Sequence, residues 1–372
     1  MLTVLATVTP RTNSGLACWA AGDETCRSVS SLAFVIGAQL LAALAVIMLM
    51  YHLAHRLSGR SAIALLATGL SYLSLRLGQF AGFAKGDIWY VLFLLLYFSG
   101  LTEAVARRSP WYALASGAAL GMSILFQPLA AVLALVTPVQ IMMGKPRAAV
   151  EANPISPMLM SGSFVAGIAL SAIGLLWLAI GASYDGTAML RHVAKGLSER
   201  VAFVGLERST WFSAVVTSVP WIGEMLSGLL PVSELRKLSI GSVPGSLAFL
   251  GAEQIYPNTL AAAGGDGSST LKLLLRDWVM GNPYGYVLSI VPVLARGVFA
   301  GGGIIALAGL FHLGAMLAFA RAEDRLDVHL LVLVPVATLL AVNVLFTGNA
   351  FWLNPMLPFV YAYAIAYVSG GW

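Results

Sequence analysis

Long apolar blocks separated by short polar breaks dominate the chain from Ser31 to Met143 and return near its C-terminal end. Each block is about 20 residues long, which is the length that an α-helix needs to cross the hydrocarbon core of a bilayer. The blocks are continuously apolar and do not alternate, which favours helices over the strands of a membrane barrel. The pattern predicts an all-α protein, a polytopic transmembrane bundle of about nine spans.

The predicted spans follow the apolar blocks in order. They cover residues 31–54, 61–84, 88–105, 110–126, 128–143, 158–183, 300–320, 328–346 and 355–369. Gln127-Pro128 separates two of them, because proline removes a backbone donor and bends or ends a helix.

Composition divides the chain into four regions. They are a polar N-terminal tail, an N-terminal transmembrane bundle, an outer-face region and the C-terminal transmembrane helices, at residues 1–30, 31–182, 183–299 and 300–372. In the third region Leu190, Val193, Ala194 and Leu197 form one helical stripe, as expected of a helix in the membrane interface. Residues 211–232 are apolar but broken by Pro and Gly, and we interpret them as a re-entrant helix or one packed against other helices.

Basic residues accumulate in alternate breaks. Eight lie in one set of short loops (Arg56, Arg60, Arg107, Arg108, Lys145, Arg147, Arg321, Arg325) and three in the other set (Arg11, Arg27, Lys85). Because cytoplasmic loops carry the excess of Lys and Arg, the first set is expected inside. The N-terminus and the break at Lys85 are then expected outside the cell inner (plasma) membrane.

The overall composition supports a membrane protein and argues against a nucleic-acid partner. The chain is 59% hydrophobic and 10% charged, with a mean hydropathy of +0.86, whereas soluble domains are roughly 25% charged. A net charge of +5 and a pI near 9.3 could indicate nucleic-acid binding. Topology explains the positive charge better, since the basic residues lie in the breaks between apolar blocks.

The two cysteines, Cys18 and Cys26, both lie in the polar N-terminal tail. They could form a disulfide in an oxidising compartment or remain unpaired thiols, and their spacing does not decide between these states. No His/Cys cluster has the spacing of metal ligands.

Four stretches occur in an order that is shared with a known family. A span ends in the basic turn Leu53-Ala-His-Arg-Leu-Ser-Gly-Arg60, and an outward span leads to Lys85-Gly-Asp87. A basic turn then precedes a Gly/Ala-rich span with a polar break, from Ala106 to Pro128, and Phe351-Trp-Leu-Asn-Pro355-Met-Leu-Pro358-Phe359 follows near the end. This order resembles the GT-C superfamily of integral-membrane glycosyltransferases, in particular the aminoarabinose and dolichyl-phosphate-mannose type transferases.

The resemblance implies transfer of a sugar from a polyprenyl-phosphate donor to a glycan, lipid or protein acceptor at the outer face of the membrane. Such chemistry needs a carboxylate that activates the acceptor or holds a divalent metal ion. It also needs positive charge or hydrogen-bond donors for the departing lipid phosphate.

Two features depart from the family pattern. No apolar span precedes Asp23 and Glu24, and Phe351 stands where the family's final motif has arginine. The chain therefore fits either an active transferase or a divergent, N-terminally shortened or inactive relative.

Three carboxylates are the candidate catalytic residues, and each has a structural alternative. Asp87 falls where the resemblance places an active-site acid, but Asp is also a favoured helix N-cap. Asp23 and Glu24 match the family's first-loop acids in type and not in spacing, and could simply belong to a polar loop.

Four basic residues are the candidates for binding the donor phosphate. Arg76 lies inside an apolar span, where a charge is costly and therefore suggests a functional role. The alternative is that Arg76 pairs with a buried carboxylate or carbonyl only for packing. Lys85 could face the phosphate or extend to the interface. Arg191 and Lys195 could bind the phosphate or lie among lipid headgroups.

A transporter or lipid-handling protein is the alternative function, and a non-catalytic assembly subunit is a third. The sequence shows no inverted internal repeat and no matched pair of broken helices, which counts against an ordinary secondary carrier.

Overall fold

The computed structural model describes residues 29–75, 87–143, 155–180, 188–204, 246–301, 308–312, 326–347 and 356–368. Regular secondary structure in these ranges is helical throughout, which confirms the all-α prediction. Contacts divide the chain into two compact units. The first unit is Met1–Asp185 with Ala320–Pro335, and the second is Gly186–Phe319 with Val336–Trp372.

Six helices of the first unit follow the predicted apolar blocks. They are α1 (Val29–Ser58), α2 (Ser61–Leu75), α3 (Asp87–Arg107), α4 (Pro110–Phe126), α5 (Val132–Met143) and α6 (Pro157–Ile180). The predicted block at 128–143 begins instead with a 3₁₀ turn, Pro128–Ala131, because proline follows the extended residue Gln127.

Shorter helices make up the second unit. They are α7 (Ala188–Val201), α8 (Leu247–Leu250), α9 (Tyr256–Ala262), α10 (Gly267–Leu274), α11 (Pro283–Leu288), α12 (Ile290–Gly301), the second half of α13 (Leu326–Phe346), and α14 (Leu357–Val368). Single π-helical turns at Gly251–Ile255 and Leu275–Met280 follow α8 and α10. The predicted re-entrant segment at 211–232 and most of the predicted span at 300–320 lie outside the described residues.

Neighbouring helices of the first unit pack in the order α2, α1, α3, α4, α6, α5. Gly59, with φ of 66°, turns the chain between α1 and α2, and its N–H donates to the carbonyl of His55 at 2.8 Å. Between α5 and the first half of α13, the Gln140 side chain donates to the Leu330 carbonyl at 3.0 Å.

The closest helix contact joins α4 to α6 through glycines. A Cβ atom on Gly117 would lie 2.0 Å from the carbonyl oxygen of Phe164, and one on Gly167 would lie 2.1 Å from that of Leu114. The Ser171 hydroxyl crosses the same interface and donates to the Ala118 carbonyl at 2.8 Å. Small residues at such spacing let helix backbones touch, which is how helices associate where lipid removes the hydrophobic drive.

Polar side chains of the first unit are buried while large apolar ones are exposed. Ser71, Ser116 and Thr137 are completely buried. In contrast, Leu135 is 77% exposed and Leu41 is 70% exposed. Further exposed apolar side chains lie on α1, α2, α4 and α6, among them Met48, Leu65, Trp111, Met158 and Ile173. Exposed apolar side chains on this scale are unusual in a water-soluble domain. The interior of the unit is also apolar, with Leu94 and Phe98 completely buried.

Two helices among the described residues are long and apolar enough to cross a membrane, Gly37–Ser58 and Ile88–Arg107. Shorter apolar helices of 10–17 residues include Pro110–Phe126, Pro157–Ile173 and Leu330–Phe346.

The α4–α6 contact makes a testable prediction. Replacing Gly117→Ala should lower the free energy of unfolding by about 2 kcal/mol, because the new methyl group meets backbone that cannot rotate away. Thermal unfolding of the purified protein in detergent measures the effect.

Gly69→Ala is the matched control, since a Cβ atom there meets nothing within 4 Å. Alanine at this exposed position of α2 should instead stabilise the helix by about 1 kcal/mol. Equal effects of the two substitutions would contradict the close approach of α4 and α6.

Candidate functional site

The structure places the predicted catalytic acid Asp87 at the start of α3. Its side chain is not among those described. Asp23, Glu24, Arg76 and Lys85 lie outside the described residues, as do both cysteines. The catalytic role predicted for the three acids and the phosphate-binding role predicted for Arg76 and Lys85 therefore remain predictions.

The two remaining candidates, Arg191 and Lys195, lie one turn apart on α7 in the second unit. The Arg191 guanidinium is half-buried and donates to the carbonyl of Gly265 at 3.1 Å, whereas Lys195 is exposed. Arg191 thus links α7 to the turn before α10, and Lys195 is the more accessible cation of the pair.

The apolar stripe of α7 packs against protein. Ala194 and Leu197 are completely buried in a cluster with Leu274 of α10 and Tyr286 of α11. Leu190, at the start of the stripe, is 38% exposed. The stripe was predicted to face the membrane interface, but two of its four residues, Ala194 and Leu197, belong to the core of this unit.

Arg200, in the last turn of α7, is the largest fully buried side chain of the described residues. Its Nε donates to the Val344 carbonyl at 2.9 Å, Nη1 to the Ser289 hydroxyl at 2.6 Å and Nη2 to the Tyr286 carbonyl at 3.0 Å. The guanidinium carbon also lies 4.5 Å from the centroid of the Tyr286 ring. One cation therefore joins α7, α11, the turn before α12 and the end of α13.

Helix C-termini explain how a cation is held here by neutral partners. Val344 is in the last turn of α13 and Tyr286 in the last turn of α11, where carbonyls have no partner within their own helix. These carbonyls carry the negative end of the helix dipole. The Tyr286 hydroxyl donates to the next carbonyl of α13, that of Leu345. Burial lowers the pKa of Arg200 to about 10, so the side chain remains cationic at neutral pH.

The sequence analysis did not single out Arg200. The available signal was periodicity, because Arg200 follows Val193 by seven residues and Leu197 by three, and so lies on the buried side of α7. The carbonyl partners come from helices about 90 and 140 residues away along the chain, and no sequence pattern indicated them.

A second charged cluster, on α1 and α3 of the first unit, is centred on Glu103. Its carboxylate accepts hydrogen bonds from Arg56 of α1 and from Arg107, whose Nε lies at 2.6 Å. The Arg56 side chain is 11% exposed and that of Glu103 is 18% exposed, whereas that of Arg107 is 62% exposed. The basic turns after α1 and α3 therefore meet at one end of the unit. Only the four-residue spacing of Glu103 and Arg107 could have been recognised in the sequence.

Metal binding has no visible basis in the described part of the chain. No group of three or more His, Cys, Asp or Glu side chains there is placed to hold a metal ion. The His312 ring packs near that of Tyr363, with the two ring centroids 6.2 Å apart.

The geometry around Arg200 generates a prediction for stability. Arg200→Met should lower the free energy of unfolding by about 3 kcal/mol, because the Val344 carbonyl would lose its buried donor and the Tyr286 carbonyl would keep only the Ser289 hydroxyl. Chemical denaturation in detergent is the measurement.

Arg276→Met provides the matched control. The Arg276 side chain is 72% exposed and pairs with its neighbour Asp277 at the surface, so its loss should change stability by less than about 0.5 kcal/mol. A similarly small change for Arg200→Met would show that Arg200 does not hold the helices together.

Comparisons with protein-family models, with curated proteins and with solved structures find no match to this chain.

Proposed function

We propose that this protein is a multi-pass integral membrane protein with α1 to α6 embedded in the bilayer. The observation that carries this proposal is the apolar outer surface of the first unit, where leucine and methionine side chains such as Leu41, Leu135 and Met158 are largely exposed. In lipid, polar groups must find partners within the protein, while exposed apolar surface costs nothing.

The charged cluster at Glu103 supports one orientation of the helices across the membrane. Arg56 and Arg107 lie at one end of the first unit, and positive loops are retained on the cytoplasmic side. Helix α3 has 21 residues and is therefore about 30 Å long, the thickness of a bilayer core. Asp87 begins α3 at the end away from Arg107, which is the outer face in this orientation.

The activity that we propose is sugar transfer at that outer face, from a polyprenyl-phosphate donor to a glycan, lipid or protein acceptor. The order of motifs that resembles GT-C glycosyltransferases is the basis, and the place of Asp87 at the outer end of α3 supports it. In the reaction an acceptor hydroxyl forms a bond to the anomeric carbon as the bond from that carbon to the phosphate oxygen breaks. The Asp87 carboxylate takes the hydroxyl proton.

Cations near Asp87 in the chain are proposed to stabilise the departing phosphate. Lys85 is two residues from Asp87, and Arg76 precedes both. Arg191 and Lys195 belong to the second unit, and Lys195 has the exposure that contact with an anion requires. Arg200 is completely buried, so it has no direct contact with substrate in this proposal.

Substituting Asp87→Asn tests the proposed activity. The amide cannot accept the acceptor proton, so transfer should fall by at least about 100-fold, the usual contribution of general base catalysis. The measurement uses membranes containing the full chain and polyprenyl-phosphate mannose or polyprenyl-phosphate aminoarabinose labelled in the sugar. Loss of label from the donor lipid reports turnover.

Asp277→Asn is the control, since Asp277 is an exposed acid whose described partner is the adjacent Arg276. It should leave turnover unchanged, and both variants should insert into membranes in normal amounts. Unchanged turnover in Asp87→Asn would remove this carboxylate from the mechanism. No turnover of either donor by the unmodified chain would contradict transfer of these two sugars.

A further inference from the structure

An apolar groove runs between α4 and α6 on the exposed side of the first unit. It has a volume of about 560 Å³ and is lined chiefly by Leu114, Ser156, Met158, Leu159, Gly162 and Ala166. Its walls are open, with Met158 77% exposed and Leu159 58% exposed. Trp111, one turn before Leu114, is also 77% exposed. The volume lies within the usual range of small-molecule sites, about 300–1,000 Å³.

Gly162 leaves this groove open although helix packing does not require a glycine there. A Cβ atom on Gly162 would meet nothing within 4 Å. On the same helix, a Cβ atom on Gly167 would lie 2.1 Å from the Leu114 carbonyl, so that glycine is needed for packing. Glycine within a helix is less stable than alanine by about 1 kcal/mol. Gly162 thus keeps a space that a side chain would otherwise occupy.

Arg108 provides positive charge at the end of this groove. Its guanidinium donates to the carbonyl of Ile155 at 3.3 Å, and Ile155 directly precedes the groove residue Ser156. Arg56 and Arg107 both bind the Glu103 carboxylate, whereas Arg108 contacts no carboxylate of the described residues. Among the described residues, this end of the unit therefore has three arginines, Arg56, Arg107 and Arg108, around the single carboxylate of Glu103.

The backbone of Arg108 is unusual as well. Its φ is 50°, in the left-handed region that residues other than glycine seldom adopt. Asparagine tolerates this conformation better than most side chains, so the charge can be removed here without adding backbone strain.

We propose that this groove and Arg108 form a binding site for one acidic phospholipid of the bilayer. An acyl chain lies in the groove over Gly162, and the phosphate lies beside the Arg108 guanidinium. An apolar channel beside a cation that has no carboxylate partner among the described residues matches a lipid with a hydrocarbon chain and a negative headgroup. Trp111 lies one turn before the groove residue Leu114, and tryptophan is common at the headgroup level of membranes. The proposal rests on the membrane placement of α1 to α6.

Lipid retention by the full chain tests the site. The protein is reconstituted in vesicles with equal amounts of phosphatidylglycerol and phosphatidylcholine, extracted in detergent and weighed with its bound lipids by native mass spectrometry. Unmodified protein should retain phosphatidylglycerol over phosphatidylcholine by about fivefold, the contribution of one arginine near an anionic surface.

Two pairs of variants separate the charge from the groove. Arg108→Asn should bring the retention ratio close to one, while Arg108→Lys should preserve the preference because the charge remains. Gly162→Leu should fill the groove and reduce retention of both lipids. Gly37→Leu is its control, since a Cβ atom at Gly37 of α1 also meets nothing within 4 Å, and it should leave retention unchanged.

Several results would overturn the site. They are equal retention of the two lipids by the unmodified protein, a preference that survives Arg108→Asn, and a groove covered by a second copy of the chain, seen as dimers without lipid. None of these results would change the proposal that α1 to α6 lie in the bilayer. That proposal would fail separately, if alkaline carbonate released the protein from the vesicles without detergent.

Discussion

The need to pair buried hydroxyl groups inside the protein governs the first unit. Hydroxyl groups on its helices turn back to their own backbone, as when Thr68 donates to Ala64 and Ser71 to Ala67, each at 2.7 Å. The Ser116 hydroxyl of α4 instead donates to the Tyr97 carbonyl of the neighbouring helix α3 at 2.9 Å. Hydroxyls satisfied in this way can be buried, which frees the outer surface for apolar side chains. The close glycine contact between α4 and α6 brings these two helices near enough for the Ser171 hydroxyl of α6 to donate to the Ala118 carbonyl of α4.

In the second unit a fully charged side chain, that of Arg200, must likewise find its partners inside the protein. Arg200 has no described carboxylate partner, and its donors are used on two helix C-terminal carbonyls and the Ser289 hydroxyl. Removing a guanidinium from water is costly. That cost is offset by the three hydrogen bonds together with the cation–π contact to the Tyr286 ring. The arrangement ties the amphipathic helix α7 to three other elements, so that Ala194 and Leu197 of its apolar stripe become core.

The sequence predicted the helices of the first unit well because one signal, a continuous apolar block, is strong there. Helices α3 and α4 begin and end within two residues of their predicted blocks. The signal is weaker in the second unit, where short amphipathic helices pack on one another. A stripe such as Ala194 and Leu197 is compatible with either a membrane surface or a protein core, and periodicity does not distinguish them.

The candidate sites were less predictable, because they depend on contacts between residues far apart in the chain. The carboxylate of Glu103 and the cation of Arg56 are 47 residues apart, and a pattern search along the chain had no reason to join them. The open space over Gly162 is equally invisible in the sequence, where this residue resembles Gly167. Whether a glycine allows packing or leaves a groove is decided only by what faces it.

Spin-label accessibility in bilayers shows whether the exposed apolar surface of α1 to α6 faces lipid. Labels are attached to single cysteines at Leu65, Leu135 and Arg276 after replacement of Cys18 and Cys26. Labels at Leu65 and Leu135 should collide with oxygen, which concentrates in hydrocarbon, more often than with a water-soluble nickel complex. The label at Arg276, outside α1 to α6, serves as the reference exposed to water. Nickel accessibility at Leu65 and Leu135 equal to that at Arg276 would show that this surface does not face lipid.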